Sequence, residues 1–209
     1  MAKVLYIQAS PRTARSKSSA VADAFLESYQ KLHPQDTITT LNIFREDLPP
    51  FDGLAVQAKY TIMHGKDHTP EERAAWDAVE KVISRFKDAD KYVLSLPMWN
   101  FGIPYRLKHY FDLLIQPGYT FSADENGYTG LVKGKPIVVV YARGGAYPAG
   151  SEAEAFDLQK SYIELILGLM GFENIHTVIV EPTLQGQPEE IQNAIQTAVE
   201  KAQAIANDF

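Results

Sequence analysis

The sequence contains no cysteine among its 209 residues. This absence excludes disulfide bonds, thiolate metal ligands and a cysteine nucleophile. Positive charge is also scarce, because 20 Lys and Arg stand against 26 Asp and Glu, giving a net charge of −6. Such a chain lacks the basic surplus with which proteins neutralise nucleic-acid phosphates or bind acidic membrane surfaces. We therefore expect no nucleic-acid partner and no membrane partner.

Long apolar runs are missing as well. No stretch approaches the ~20 apolar residues that a membrane-spanning helix needs. The chain begins with Met-Ala-Lys and enters a predicted strand directly, without the charged and apolar parts of a signal peptide. These features predict a soluble, cytoplasmic protein.

The composition that remains is that of a globular domain. Apolar residues make up 45% of the chain and charged residues 22%. A chain of this length can bury one large core. No repeat, linker or low-complexity segment divides it, so we predict a single domain over residues 1–209.

Five short apolar or β-branched runs predict strands. They lack the strict alternation of a half-exposed strand, which is typical of parallel strands covered by helices on both faces. The predicted strands lie at 3–8, 37–43, 91–96, 136–142 and 175–180.

In the segments between these strands, apolar residues recur at the spacing of one helix face. Thr69 and Pro70 form a helix start, and Ser151 with Glu154 forms a capping box that predicts a helix with Phe156 on its inner side. Residues 119–132 carry two turn signals and predict a small hairpin. The predicted helices lie at 18–32, 70–86, 105–115, 151–170 and 188–206, with a short one at 54–63.

Alternating strands and helices predict an α/β fold, a three-layer doubly wound sandwich around a five-stranded parallel sheet. The flavodoxin-like strand order 2-1-3-4-5 is the preferred topology. In such a sheet the loops after strands one, three and four leave the same edge, and ligands bind there.

The loop after strand one is rich in hydroxyls and cations and leads into a helix. The N–H groups and positive dipole end of a helix start form an anion site. Neither a Gly-x-Gly-x-x-Gly turn nor a P-loop is present. A plain helix cap remains open as an alternative, but hydroxyls and N–H groups suit a phosphate monoester, with candidates Ser10, Ser16, Lys17 and Ser18.

The loop after strand three, at 95–105, reads S-L-P-M-W-N-F-G-I-P-Y. Its aromatics could simply pack as an apolar corner, which is the usual role of such side chains. Asn100 between Trp99 and Phe101 favours a different interpretation, since an apolar corner has no need of an amide. The loop suits a flat ring that is held on its face and hydrogen-bonded at its edge.

The loop after strand four contains Arg143-Gly144-Gly145. Two glycines let the backbone approach a ligand closely and point N–H groups at it. Such donors stabilise negative charge that develops on a ring. A flexible loop is the alternative for this segment alone. Together, the three loops predict an FMN site with a phosphate end, an aromatic middle and an anion-stabilising edge.

The sequence resembles the FMN-dependent NADH-azoreductase and NADH:quinone oxidoreductase family over nearly its whole length. The segments that carry the resemblance are K-V-L-Y-I-Q-A-S-P-R, P-M-W-N-F-G-I-P, L-K-H-Y-F-D-L-L, E-N-G-Y-T-G-L-V-K-G-K and A-R-G-G. The resemblance implies FMN as cofactor, NADH or NADPH as co-substrate, quinone or azo substrates and a homodimer. It also implies that the excursions at 46–70 and 119–132 help to build the dimer interface.

The resemblance assigns roles by position. It implies a phosphate site at Ser10, Ser16, Lys17 and Ser18, and ring contacts from Pro97, Met98, Trp99, Asn100, Phe101, Ala142, Arg143, Gly144 and Gly145. Asn100 is expected to orient the ring edge where hydride arrives, with no side-chain nucleophile or acid, and Phe121 is expected on the substrate side. Three positions depart from the common pattern: Trp99 replaces Tyr, Lys17 replaces a neutral residue, and Ala142 replaces Ser.

Three other functions compete with this interpretation. His64 and His68 have metal-ligand spacing, but no third ligand is evident, so we expect no metal. A response-regulator receiver would need an acidic pair after strand one, where Gln8-Ala9-Ser10 stands. A flavodoxin-type electron carrier without its own NAD(P)H oxidation is the stronger alternative, although the extra excursions disfavour it.

Overall fold

The computed structural model describes residues 1–209 apart from the side chain of Thr13. The strands are β1 (Lys3–Gln8), β2 (Thr37–Asn42), β3 (Lys91–Pro97), β4 (Phe121–Asp124), β5 (Gly127–Gly130), β6 (Ile137–Ala142) and β7 (Ile175–Val180). Five of them are parallel and form the central sheet, in the order β2-β1-β3-β6-β7. This order is the predicted 2-1-3-4-5 arrangement, which confirms the predicted α/β class and topology.

The two strands outside this sheet, β4 and β5, pair with each other as an antiparallel hairpin. It occupies the position that the turn signals at 119–132 predict, with Gly127 in the left-handed conformation (φ 115°). A left-handed residue at a tight turn favours glycine because a side chain would clash there.

The helices cover both faces of the sheet. They are α1 (Lys17–Leu32), α2 (Gly53–Met63), α3 (Pro70–Lys87), α4 (Tyr105–Leu114), α5 (Leu158–Met170) and α6 (Pro188–Ile205), with 3₁₀ turns at Thr13–Arg15 and Glu152–Phe156. One apolar core lies beneath α1 and α6, and the other lies beneath α2, α3, α4 and α5. In β1, Val4 and Tyr6 enter the first core while Leu5 and Ile7 enter the second. Both faces of β1 are therefore buried, as the uninterrupted apolar run predicts.

Helix caps follow the sequence signals at α3 and at the end of α5. The Thr69 hydroxyl accepts the Glu72 N–H, and the Glu72 carboxylate accepts the Thr69 N–H, which completes a capping box. Gly171 ends α5 in the left-handed conformation with φ 99°. In the part of the chain that the structure describes, no helix is long and apolar enough to cross a membrane.

The predicted start of the fifth long helix is wrong. The Ser151 hydroxyl donates to the Pro148 carbonyl oxygen at 2.8 Å instead of capping a helix. The true N-cap is Asp157, whose carboxylate accepts the Lys160 N–H at 2.9 Å, so α5 begins at Leu158. The 3₁₀ turn that precedes it leaves Phe156 51% exposed rather than on an inner face.

Candidate functional site

The loops after β1, β3 and β6 meet at the carboxyl edge of the sheet, where hydrogen bonds continue the strand pairing. The Ala9 N–H donates to the Ser95 carbonyl, and the Met98 N–H donates to the Ala142 carbonyl, both at 2.8 Å. A cavity of about 200 Å³ opens between these loops. Its lining residues are Ser10, Arg12, Ser16, Lys17, Ser18, Pro97, Met98, Trp99, Ala142, Gly144, Thr183 and Leu184.

Most of the predicted site residues are brought together in this lining. Four predicted residues of the same loops stand beside the cavity rather than on its wall: Asn100, Phe101, Arg143 and Gly145. Phe121 lies on β4, where its ring packs against Tyr128 with centroids 5.9 Å apart. The cavity wall does not include Phe121.

The first end of the cavity is built from the N-terminus of α1. Ser16 is the N-cap, and its Oγ accepts the Ser19 N–H at 3.2 Å. The Ser18 Oγ lies 3.2 Å from the Ser16 Oγ, and the buried Ser10 Oγ accepts the Arg12 N–H at 3.4 Å. Helix N–H groups, buried hydroxyls and the exposed cations of Arg12 and Lys17 form a donor set that suits a phosphate dianion.

A strained turn lies at the middle of the site. Trp99 and Gly102 exchange two backbone hydrogen bonds, at 3.0 and 2.9 Å, around Asn100 and Phe101. Both central residues have positive φ, 48° for Asn100 and 66° for Phe101. The left-handed conformation costs an L-residue about 1–2 kcal/mol. Strain of this kind persists where the surroundings fix the backbone, and it concentrates at functional sites.

Trp99 forms a flat aromatic wall. Its ring packs against Phe44 with centroids 5.7 Å apart and against Tyr105 at 6.4 Å. These neighbours hold the indole in place while 36% of the residue remains exposed. The side chain can therefore offer an apolar surface to a ligand without rearranging.

The glycine pair after β6 packs against a segment that the sequence analysis missed. The Gly144 carbonyl accepts N–H groups of Leu184 at 3.0 Å and Gln185 at 2.9 Å. A Cβ on Gly145 would lie 2.7 Å from the Gln185 Oε1, so a side chain at this position would require the end of Gln185 to move. Thr183 and Leu184 follow β7, and the rule that placed the other loops at this edge would have found them if applied to the fifth strand.

Arg143 turns its side chain away from the cavity into the protein. The guanidinium, 1% exposed, pairs with Asp157 at 2.7 Å and with Glu181 at 3.2 Å. Its Nε donates to the Gln159 Oε1 at 3.1 Å. Only the main chain of Arg143 is therefore left to contact a ligand in the cavity.

The ionisable side chains that line the cavity are cationic. The cavity lining contains no carboxyl group, and its two charged members, Arg12 and Lys17, are cations. Burial is the main cause that raises the pKa of Tyr6 and of Tyr141, two tyrosines of the strands beneath the cavity. Both phenols therefore stay neutral near pH 7. The wall offers positive charge and hydrogen-bond donors.

A larger groove of about 460 Å³ lies beside the site, between the start of α4 and the exposed side of α5. Its surface is almost wholly apolar, with Ile103, Leu158 and Leu165 among its residues. It lacks the hydroxyls, helix N-terminus and glycine backbone of the smaller cavity. On the chemistry of its lining, the smaller cavity is therefore the candidate ligand site.

Metal binding finds no support in the part of the chain that the structure describes. No group of three or more His, Asp or Glu side chains there is arranged to hold a metal ion. His64 and His68 are exposed residues between α2 and α3.

Comparisons with known proteins agree with this geometry. A family model described as "Flavodoxin-like fold" matches residues 2–206. An FMN-dependent NADH:quinone oxidoreductase from Nitratidesulfovibrio vulgaris (strain DP4) is 54% identical over 209 residues, covering 100% of both chains. An azoreductase from Bacillus anthracis str. Sterne superposes with a TM-score of 0.92 at 34% identity, covering 100% of both chains.

A third similar protein is an FMN-dependent NADH-azoreductase from Bacillus anthracis str. Ames Ancestor, solved in complex with FMN. It has 31% identity and a TM-score of 0.87, covering 99% of this chain and 100% of its own. Similarity at these levels over the full length confirms the resemblance carried by the sequence motifs. The chain belongs to the flavodoxin-like family of FMN-dependent NADH:quinone oxidoreductases and NADH-azoreductases.

Proposed function

We propose that the protein is an FMN-dependent oxidoreductase that uses NADH to reduce quinones and to cleave azo compounds. The observation that carries this proposal is the cavity at the carboxyl edge of the sheet. It joins a phosphate-type donor set at the start of α1 to the aromatic wall of Trp99 and the glycine edge of Gly144. The names of the full-length relatives support the same activity.

The residues present fit FMN by their chemistry. Ser10, Ser16 and Ser18 are buried hydroxyls at a helix N-terminus, and Lys17 adds a cation beside them. We propose that this end holds the phosphate. Pro97, Met98 and Trp99 would hold the ring, and Ala142 with the backbone of Arg143, Gly144 and Gly145 would face its pyrimidine side.

When bound, FMN would supply the chemistry of hydride transfer between NADH and the acceptor, and the two substrates would use the same place in turn in a ping-pong mechanism. The protein's own contribution is to bind, orient and exclude water. The strained turn at Asn100 and Phe101 fixes the backbone there before any ligand arrives. Asn100 would place its amide at the edge of the ring.

Three further features belong to the proposal. The enzyme acts as a homodimer, with the segments at 46–70 and 119–132 contributing to the interface and Phe121 on the substrate side. NADPH is included in the proposal as an alternative co-substrate, since no nicotinamide-phosphate motif in the sequence distinguishes it from NADH. Its location is the cytoplasm, where both nicotinamides are available.

The direct test is a steady-state assay on the purified protein with added FMN. NADH oxidation should require an acceptor and should proceed with menadione and with methyl red. Asn100→Ala should retain FMN but oxidise NADH more slowly, whereas Leu32→Ala, at the opposite end of α1 from the cavity, should match the wild type. A flavin-bearing protein that is inert to both nicotinamides would indicate an electron carrier instead. Unchanged kinetics in Asn100→Ala would remove Asn100 from the mechanism.

A further inference from the structure

Three aromatic rings meet just outside the cavity. The Phe101 ring lies 5.1 Å from the Phe156 ring and 6.5 Å from the Tyr147 ring, measured between centroids. Phe101 and Tyr147 belong to the two loops whose neighbouring residues Trp99 and Gly144 line the cavity. Phe156 comes from the 3₁₀ turn before α5. We call Phe101, Tyr147 and Phe156 the aromatic shelf.

The shelf presents two large apolar side chains to solvent. Phe101 is 46% exposed and Phe156 is 51% exposed although the rings touch each other. Adjacent exposed aromatics that stand beside a ligand cavity are typical of a recognition surface. Aromatic faces favour flat, conjugated molecules, because stacking adds attraction beyond the burial of area.

A buried ion pair holds Phe156 in this place. The next residue is Asp157. One of its carboxylate oxygens accepts a hydrogen bond from the Arg143 guanidinium at 2.7 Å, and the other accepts one from the Lys160 N–H at 2.9 Å. Arg143 is itself fixed by Glu181 and Gln159. The backbone at Asp157 is therefore tied to both the β6 loop and α5, and Phe156 cannot move away without breaking these contacts.

A second contact anchors the same region. The Glu181 carboxylate that pairs with Arg143 also accepts the Tyr147 N–H at 3.1 Å. Arg143 is thus linked to two of the three shelf residues, to Phe156 through the adjacent Asp157 and to Tyr147 through Glu181. This arrangement gives a reason for a wholly buried guanidinium beside the site, where an isolated buried charge would be unfavourable.

We propose that Phe156 is a specificity-determining residue that extends the aromatic surface on which acceptors with fused rings are received, and that Arg143 and Asp157 position it. The proposal rests on the proposed quinone reductase activity and names the acceptor class that the site prefers. A fused bicyclic quinone reaches the shelf, whereas a single-ring quinone stays over the cavity. The shelf therefore sets the ratio of kcat/KM between the two acceptors.

The test compares menadione, with two fused rings, with p-benzoquinone in the holoenzyme. Phe156→Ala should lower the menadione to p-benzoquinone ratio of kcat/KM by about five- to tenfold, mainly through the KM for menadione. Phe156→Tyr, which keeps the ring, should restore the ratio to within about twofold of the wild type. Leu32→Ala, which removes a half-exposed apolar side chain from α1, should leave the ratio unchanged.

The positioning role is tested with Asp157→Asn. Asparagine can still cap α5, so the helix start is retained while the charge that binds Arg143 is lost. The ratio should fall in the same direction as in Phe156→Ala, with bound FMN unchanged. A merely structural role would lower kcat/KM for both quinones equally, and that outcome would overturn the positioning of Phe156 by Asp157.

Failures of the two proposals are distinguishable. A wild-type protein that reduces neither quinone with NADH would overturn the proposed function and this inference together. A wild-type protein that reduces both quinones, with the same ratio in Phe156→Ala, would overturn the specificity role alone.

Discussion

The amino and carboxyl ends of the sheet strands use ion pairs in opposite ways. At the amino end, Lys3 pairs with Asp88 at 2.9 Å while the two side chains stay 61% and 67% exposed. At the carboxyl end, Arg143 pairs with Asp157 and Glu181 at 1% exposure of its own side chain. The carboxyl end also holds the positive-φ turn at Asn100 and Phe101.

This difference between the two ends distinguishes features that only stabilise the fold from features that suit a binding site. Exposed pairs contribute little to stability because water screens them. Buried charges and strained backbone lower stability unless their surroundings compensate, so their concentration at one end indicates selection for something besides folding. The cavity lies at that same end of the sheet.

The largest expected effect comes from breaking the buried pair. Arg143→Met should lower the free energy of unfolding by about 3–5 kcal/mol, because Asp157 and Glu181 lose their counter-charge inside the protein. Lys3→Met, the matched change at the amino end, should cost about 0–1 kcal/mol. Urea titration of both variants measures the two values. Equal losses would contradict the comparison.

Two helix caps provide the next contrast. Ser16→Ala and Thr69→Ala should each cost about 1 kcal/mol of stability, because each removes an N-cap hydroxyl. Only Ser16→Ala should also weaken FMN binding, by about tenfold, through loss of one hydrogen bond to a charged phosphate. Titration of FMN fluorescence measures affinity. Equal FMN affinity in the two variants would remove Ser16 from the phosphate site.

Substitutions at two glycines should change stability by smaller amounts, with opposite signs at the two positions. Gly145→Ala should cost up to about 0.5 kcal/mol, since its Cβ would lie 2.7 Å from the Gln185 Oε1 and the end of that flexible side chain would have to move away. Gly53→Ala meets no heavy atom within 4 Å at the start of α2 and should gain about 0.5 kcal/mol. Thermal unfolding of both variants checks the signs. A stabilised Gly145→Ala would show that the packing against Gln185 is loose.

The smallest effect concerns the acid limb of stability at the amino end. The Tyr29 hydroxyl and then the Ala2 N–H, both 2.6 Å from the carboxylate, hold the pKa of Asp36 below its usual range. Because the folded pKa is depressed, this contribution is present above the ordinary value of about 3.9 and is lost as pH falls through the folded pKa.

Asp36→Asn should therefore flatten the decline of unfolding free energy in that acid range. Asp67→Asn, which removes one exposed carboxylate before α3, is the control for the lost charge. Urea titrations at several acidic pH values measure the slopes. An Asp36→Asn slope as steep as that of the wild type would show that these hydrogen bonds do not govern the acid limb.

Much of the fold follows from local patterns in the sequence. Strands buried on both faces appear in the sequence as continuous apolar runs, and Thr69 with Pro70 marks the start of α3. Both signals depend on neighbouring residues alone. The start of α5 does not follow, since Asp157 becomes the cap partly through Arg143, a partner distant in the chain. The local capping-box pattern of Ser151 and Glu154 pointed to Ser151 as the N-cap instead.

The candidate site divides in the same way. Serines at a helix start and aromatics after a strand are local signals, and the structure brings them together. The positive φ at Asn100 and Phe101 is not marked by a glycine in the sequence, and the hydrogen bonds of Leu184 and Gln185 to the Gly144 carbonyl join two loops that are far apart in the chain. Such features arise from tertiary contacts that no local pattern encodes.

Anaerobic reduction by NADH tests the proposed electron transfer itself. The FMN-loaded protein is mixed anaerobically with NADH, and the flavin absorbance is followed before and after menadione is added. We expect NADH to bleach the flavin in the absence of acceptor and menadione to restore the colour. A protein that stays colourless because it takes up no FMN, or whose flavin NADH does not bleach, would contradict it.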